Sequence, residues 1–336
     1  MGYNAPPVTK ELLQKLKHFY ESYTPWISLG LGVLSRVLSH EGVDFAPKAV
    51  AILALAWLLP LAASRWLRPP IKGAYEPRWR HFARTVSPTV TVLLYKNVLF
   101  FLVPVWFGSA HFSSINIVFP MVLAAMALLT CFAHKFSDEV LKHPQLAVQW
   151  TGVVLFAALV PAAAVVANIS PRTAIVLSAL LASSVAWAAL TPNERLRSWR
   201  GLTSLARVAL PATIFLGLAA PLFPPVPMAC HAHGAGTAIV GRELQGKATT
   251  FPRRTPKVFA WFAVTLPDRN RQPIAFQWYH DGQPVGTPFR ITVEGGRRAG
   301  YRSWAVHANP GPGDWRVDLL TTQASQLIGR TSFRVD

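Results

Sequence analysis

The apolar run over residues 205–227 most constrains what this chain can fold into. It reads LARVALPATIFLGLAAPLFPPVP and is the last long apolar stretch in the sequence. A helix needs about 20 apolar residues to cross the hydrocarbon core of a bilayer. Several similar runs precede it, whereas the sequence after it alternates apolar and polar residues. The sequence therefore predicts a membrane-embedded first part and a second part that faces water.

The composition agrees with a membrane protein. Hydrophobic residues make up 51% of the chain and charged residues only 14%, against about 25% charged residues in soluble domains. Segments of sufficient length and apolarity predict about seven transmembrane helices. The first is the shortest and contains Arg36. The predicted spans are 25–39, 46–63, 88–107, 115–133, 146–167, 173–190 and 205–223.

The distribution of basic residues predicts the orientation. The N-terminal tail and the loops after the second, fourth and sixth predicted spans carry fifteen Lys and Arg residues, and the alternate loops carry only Lys48 and Arg172. The formal charge is +18, of which residues 1–225 carry +11. Cytoplasmic loops collect Lys and Arg, so membrane orientation explains most of this first excess better than nucleic-acid binding does. We expect a multi-pass membrane protein with a cytoplasmic N-terminus and without a removable signal peptide. Its predicted parts are a cytoplasmic tail over 1–24, a helical domain over 25–225, a linker over 226–236 and an exported domain over 237–336.

Polar residues inside predicted spans are candidates for a functional site because burying them in lipid is costly. Lys96 and Asn97 lie near the middle of the third predicted span. A transport site or proton relay is one interpretation, but no Asp or Glu lies within any predicted span. The alternative is a lysine that extends to the interface or bonds to backbone carbonyls.

The junction after the last span contains Cys230, His231 and His233. These residue types suit Cu(I) or another soft metal, but the pattern has no second cysteine or distant histidine pair to complete a closed site. We therefore interpret the segment as a flexible linker and expect no metal and no cofactor. The other cysteine, Cys131, lies in an apolar run, so no disulfide framework is expected.

From residue 237 the apolar residues alternate as in strands. The candidate strands are TAIVGREL, KVFAWFAVT, IAFQWYHD, GTPFRITVE, GYRSWAVH, DWRVDLL and LIGRTSFRV. Seven short strands within about 100 residues are typical of an immunoglobulin-like β-sandwich. The predicted fold is thus a helical transmembrane bundle followed by an all-β domain.

Short motifs in this part carry a family resemblance. They are Trp278-Tyr279-His280-Asp281-Gly282, Gly313-Asp314-Trp315-Arg316-Val317-Asp318 and Phe333-Arg334-Val335. The segment resembles the bacterial domain of unknown function DUF2914. The preceding multi-span region resembles DUF5924, which commonly stands before it. Neither resemblance implies a reaction.

Aromatic rings stack on sugars and proteins, and Arg binds carboxylate or phosphate through two hydrogen bonds. The candidate binding residues of the β domain are Trp278, Tyr279, Tyr301, Arg302 and Trp304, although inward-facing strand positions would place some in the core. The sequence contains no recognisable nucleophile motif, phosphate-binding loop or carboxylate pair, so we expect no enzyme. The leading hypothesis is a bundle in the lipid bilayer that anchors an exported domain for binding an envelope protein or anionic glycan. The alternative is a transporter or channel with an accessory β domain.

Overall fold

The computed structural model of the chain describes residues 95, 97–131, 136, 140, 143–196, 198–297 and 299–336. The predicted spans 25–39 and 46–63 lie outside these residues. Lys96 also lies outside them, so the intramembrane site predicted at Lys96 and Asn97 is described only in part.

The described helices follow the predicted apolar runs, with boundaries set by local capping. Ser170 and Ser198 accept hydrogen bonds from the backbone at the start of two helices, and proline occupies the first turn of two helices, where its missing N–H costs nothing. A 3-10 turn, Ile115–Ile117, precedes α2, and another, Ala220–Leu222, follows the last helix. The helices are α1 (Asn97–Ser109), α2 (Val118–Cys131), α3 (Pro144–Val166), α4 (Pro171–Leu190), α5 (Asn193–Leu196) and α6 (Trp199–Leu218).

Three of these helices are long and apolar enough to cross a membrane: Gln145–Val166 in α3, Pro171–Leu190 and Trp199–Leu218. Two more, Asn97–Ser109 and Ile115–Cys131, are apolar but shorter within the described residues. The last helix begins at Trp199, before the predicted start at residue 205, because Ser198 caps it. Five predicted spans thus coincide with apolar helices.

The described helices pack around a main apolar core and leave an apolar outer surface. Leu99, Trp106, Leu155 and Ile175 are fully buried, and the Trp106 indole donates to the Ala157 carbonyl at 3.0 Å. By contrast, α6 exposes large apolar side chains to the surroundings. An exposed apolar surface of this kind is typical of a helix that contacts lipid. The exposed side chains are Leu210, Ile214, Phe215 and Leu218.

The C-terminal part is a β domain. Two sheets, with strand orders β1-β5-β8 and β4-β10-β9-β6-β7, face each other, and a hairpin of β2 and β3 lies beside them. Phe262 and Phe276, one from each sheet, meet edge to face with centroids 5.8 Å apart inside a shared core. The strands are β1 (Ala229–Gly236), β2 (Ala238–Val240), β3 (Glu243–Gln245), β4 (Thr250–Phe251), β5 (Lys257–Thr265), β6 (Arg271–His280), β7 (Gln283–Glu294), β8 (Tyr301–Ala308), β9 (Gly313–Thr321) and β10 (Leu327–Val335).

The prediction of a linker over 226–236 is wrong for most of the segment. Residues 229–236 form β1, which pairs antiparallel with β5. The small residues of this segment allow close packing: a Cβ at Gly236 would lie 2.5 Å from the Gln245 carbonyl oxygen and 2.6 Å from the Leu244 side chain. The predicted strand TAIVGREL is instead a hairpin that turns at Gly241 and Arg242, both with positive φ.

The junction between the two parts is buried. Val226 belongs to the bundle core and Met228 to the β-domain core, so only Pro227 separates the two cores. The Asn116 amide donates to the Leu327 carbonyl at 3.1 Å, and the Gln326 amide donates to the Phe223 carbonyl at 3.1 Å; both hydrogen bonds are buried. The β domain is therefore docked on the bundle.

Among the described residues, three separate segments of the bundle meet the β domain. The segment before α2 contributes Asn116, the first turn of α4 contributes Arg172, which donates to the Gln323 carbonyl at 2.9 Å, and the end of the bundle contributes Phe223. These segments include two of the predicted outer loops and the exit of the last predicted span. Their position at one end of the bundle is the arrangement that alternating, antiparallel helices produce.

Candidate functional site

The five predicted binding residues of the β domain do not form one surface. Trp278 is 7% exposed and lies in the core. Tyr279, its neighbour on β6, lies on the opposite face of the strand because side chains alternate. Tyr301, Arg302 and Trp304 lie on β8, in the other sheet.

The β8 residues contribute mainly to structure. Tyr301 packs partly against the core, with the Arg297 guanidinium 4.7 Å above its ring. Arg302 forms a 2.7 Å ion pair with Glu243 of β3. Trp304 is half-buried and lies opposite Trp261. The β2–β3 hairpin therefore covers part of this sheet, and its Glu243 neutralises the Arg302 charge.

A different surface gathers the polar residues of the sequence motifs. Tyr279 of β6 lies opposite Arg316 of β9, and Arg316 lies opposite Ser332 of β10. Asp314 lies opposite Arg334 in the same register. We call the surface bearing Tyr279, Asp314, Arg316, Ser332 and Arg334 the outer sheet face.

The outer sheet face includes residues that were not among the predicted binding residues. The missed residues are Asp314, Arg316, Ser332 and Arg334. The signal was alternation: Trp315 and Phe333 are buried, so their sequence neighbours point outward. Which of those neighbours meet depends on strand pairing, and local periodicity does not specify strand pairing.

An ion pair ties this surface to the bundle. Both oxygens of the buried Asp318 accept from Arg330, with Nε to Oδ1 at 2.6 Å and Nη2 to Oδ2 at 2.8 Å. The hydrogen bond to Asp318 raises the pKa of Arg330 above its ordinary value. The third nitrogen, Nη1, donates to the Ser113 carbonyl at 3.1 Å. The guanidinium thus connects β9 to the segment before α2.

A hairpin turn fixes the far end of the surface. Asp281 and Gly282 join β6 to β7, both with positive φ. The Asp281 carboxylate accepts from the Asp314 backbone N–H at 2.8 Å. The His280 ring stacks on Trp315 with centroids 4.4 Å apart. These contacts give His280 and Asp281 a structural role, since they hold the start of β9 in place.

Two family matches agree with the order of these parts. Residues 271–335 match a protein of unknown function, DUF2914. Residues 4–243 match a family of unknown function, DUF5924, over more than two thirds of the chain. The chain belongs to DUF5924. No curated protein matches it.

The DUF5924 match extends across the junction into the β domain. The match continues beyond the helices to residue 243 and so includes β1 and β2. DUF2914 begins only at residue 271, where β6 begins. In this DUF5924 chain the β domain is therefore assembled from both matched segments, with β1 of the first paired to β5 between them.

The junction residues that were weighed as weak metal-ligand candidates, Cys230, His231 and His233, have separate partners. Burial raises the pKa of the Cys230 thiol to about 12, and its Sγ lies 3.5 Å from the Ala232 carbonyl oxygen. His231 Nε2 lies 2.6 Å from the Thr265 hydroxyl. His233 faces His111, with ring centroids 6.1 Å apart. Among the described residues, no group of three His, Cys, Asp or Glu side chains could hold a metal.

The His111–His233 pair lies where the segment before α2 meets β1. Burial lowers the pKa of both imidazoles. The charges of His233 and Arg330 lower the pKa of His111 further, Asp318 raises it in part, and Lys247 lowers the pKa of His233. The docked arrangement therefore favours both rings in the neutral form.

Acidification from pH 7.5 to pH 5 is expected to weaken docking. A lowered pKa means that the separated state binds protons more tightly, so the histidines oppose docking as the pH falls below their ordinary value of about 6.5. Hydrogen exchange at residues 111–116 and 229–236, corrected for intrinsic rates, measures this opening. A double variant, His111→Gln with His233→Gln, should lose most of the pH dependence. The same dependence in the variant would show that other groups cause it.

The bundle contains an apolar groove between α3, α4 and α6. Its volume is about 440 Å³, and its lining includes Phe156, Ala182, Trp187 and Val208, with Gln149 at the side. None of the described residues that line it is charged. Asn97, the described member of the predicted intramembrane pair, lies half-buried at the start of α1 and does not line this groove.

Proposed function

We propose that this DUF5924 protein is a multi-pass protein of the bacterial inner membrane whose helical bundle positions an exported β domain for recognition. We propose that the protein has about seven spans, a cytoplasmic N-terminus and an immunoglobulin-like domain outside the membrane. The ligand is an envelope component, either a protein or an anionic glycan, and no catalytic step is involved.

The observation that carries the proposal is the orientation of the docked β domain. Among the described residues, β10 contacts the bundle near its start, through Leu327 and Arg330. Arg334 lies four residues further along the strand, about 13 Å away at the rise of an extended chain. The outer sheet face therefore extends away from the bundle, on the side that would meet a ligand outside the membrane.

The basic loops support the orientation. Arg195 lies in the connection between α4 and α6, and Arg200 lies at the start of α6. Arg172 and Phe223, which contact the β domain, lie at the opposite end of these helices. Cytoplasmic enrichment of Lys and Arg therefore supports a β domain outside the membrane.

Cysteine labelling in intact cells tests the topology. A Cys131→Ala chain carrying Gln283→Cys, at the exposed start of β7 beside the β6–β7 turn, should react with a membrane-impermeant maleimide before the inner membrane is permeabilised. The same chain with Arg200→Cys should react only afterwards. Cys230 remains as a low background because burial raises its thiol pKa. The reverse order of labelling would overturn the proposed orientation.

Site-specific photo-crosslinking tests recognition. A photoreactive amino acid replaces Ser332, which is exposed on the outer sheet face, or Val306, which is 51% exposed on the other sheet. We expect an adduct with an envelope component from position 332 that is absent from position 306. Identical adducts from both positions, or none from position 332 in a chain with normal membrane insertion, would contradict the proposal.

The apolar groove does not favour the transporter alternative. Among the described residues, only Gln149, Ser183 and the Trp187 indole offer polar groups in the lining, so a polar solute would lose its hydration there for few hydrogen bonds in return. Its lining suits acyl chains better. We therefore propose that the bundle serves as an anchor.

A further inference from the structure

A cavity of about 390 Å³ opens on the outer sheet face. Two arginines, Arg316 of β9 and Arg334 of β10, line it. Ser332 and Asp314 lie beside them, and the turn residue Gly282 borders the cavity. In the strand register Arg334 is diagonal to Arg316, about 7–8 Å away. Two long side chains at that spacing can reach one small ligand group.

Arg316 shares the Asp318 carboxylate with Arg330 and is the less closely paired of the two arginines. Its Nε atom is buried and has no hydrogen-bond partner among the described residues. Asp318 lies 3.4 Å away, but both of its oxygens already accept shorter hydrogen bonds from Arg330. A buried, unsatisfied donor is costly, which makes this guanidinium unusual.

Tyr279 fixes the orientation of this guanidinium. The Arg316 Cζ atom lies 4.1 Å above the centre of the Tyr279 ring. Stacking uses the flat face of the guanidinium, so the N–H groups along its edge remain for other partners. A planar fork held in one orientation binds a carboxylate or phosphate with little further loss of side-chain entropy.

The second arginine is only weakly engaged. The Arg334 and Asp314 side chains are 65% and 73% exposed, and their closest atoms are 3.6 Å apart. Such a solvent-exposed pair contributes about 0–1 kcal/mol, so a ligand can displace it. Together, the Arg316, Arg334 and Asp314 side chains carry one net positive charge. The Ser332 side chain adds a hydroxyl donor without charge.

We infer that this cavity is an oxyanion-binding site that takes a carboxylate or phosphate group of an envelope ligand, through Arg316 and Arg334 with Ser332 between them. The inference rests on the proposed recognition function and names the chemistry recognised. The cavity lies beyond the bundle contacts of β10, so the group belongs to a polymer outside the membrane and not to a headgroup of the surrounding lipid.

Binding of two polyanions to the full chain in uncharged detergent micelles tests the site. The probes are oligogalacturonate, which carries carboxylates, and polyphosphate, and calorimetry in about 150 mM salt limits long-range attraction. We expect one of them to bind, and Arg316→Gln to weaken that binding about tenfold or more, as for the loss of charge-assisted hydrogen bonds. Arg316→Lys keeps the charge but loses the fork and should remain several-fold weaker than the parent.

The matched control is Arg290→Gln, which removes the same charge from an exposed position of β7 outside the cavity. We expect less than about a twofold change, since only screened long-range attraction is lost. Equal losses in Arg290→Gln and Arg316→Gln, or binding of neither polymer, would overturn the site. An unchanged unfolding midpoint in each variant shows that the fold is intact.

The two proposals fail in different ways. If the adduct from position 332 forms in cells but Arg316→Gln binds both polymers like the parent, recognition stands and the oxyanion site is wrong. If no adduct forms from position 332, the recognition function fails whatever the polymers do.

Discussion

Replacing Trp278 by alanine is expected to destabilise the β domain by about 3–5 kcal/mol, the usual cost of truncating a buried tryptophan. The side chain is 7% exposed. Its ring lies 5.4 Å from His307, 6.2 Å from Trp315 and 6.3 Å from Phe333, centroid to centroid. Removal would leave a cavity between the two sheets that these rings cannot fill.

Tyr279→Ala is the matched control because Tyr279 follows Trp278 on the same strand and faces outward. Its loss removes the stacking with Arg316, which contributes about 0.5–1 kcal/mol at an exposed site. Urea-dependent proteolysis of the full chain in micelles measures both changes, since the unfolded β domain is cleaved. Equal destabilisation by the two substitutions would contradict the assignment of Trp278 to the core.

The two substitutions also separate structure from recognition. A loss of binding in Trp278→Ala would follow from destabilisation of the whole β domain, so it would identify no binding residue. Tyr279→Ala leaves the fold intact and releases the Arg316 guanidinium from its fixed orientation. A loss of ligand in the stable variant therefore reports on the outer sheet face itself.

Local periodicity was sufficient for much of the β domain. Predicted strands KVFAWFAVT and LIGRTSFRV coincide with β5 and β10, because alternating burial requires alternating apolar residues. The same alternation places Trp315 inward and Arg316 outward. Apolar run length likewise located the described helices, although capping by Ser198 set the start of α6.

What the sequence could not give depends on contacts between distant residues. Arg302 appeared available for a ligand, but Glu243 of a distant hairpin neutralises it. The sequence predicts a linker at the junction because its Cys and His pattern is incomplete, whereas its small glycines allow β1 to pack beneath β3. The hydrogen bond from Asn116 to Leu327 joins residues 211 positions apart, and no local pattern specifies such a contact.

The second large effect is expected at Asp318. Asp318→Asn should cost about 3 kcal/mol, at the lower end for breaking a buried ion pair because Arg330 keeps some contact with water. The Asp318 and Arg330 side chains are 5% and 23% exposed. An amide has one acceptor oxygen, so it cannot accept from both Arg330 nitrogens as the carboxylate does. Urea-dependent proteolysis again gives the change in stability.

The control is Glu294→Gln, which breaks the Arg271–Glu294 pair at a nitrogen–oxygen distance of 2.9 Å. Both side chains are largely exposed, so this change should cost less than about 1 kcal/mol. Asp318→Asn has a further consequence: Arg330 loses the anchor that orients it toward the Ser113 carbonyl. Hydrogen exchange near Ser113 should therefore rise in Asp318→Asn and stay unchanged in Glu294→Gln. A stability loss without faster exchange there would show that the ion pair supports the β domain alone and not its docking on the bundle.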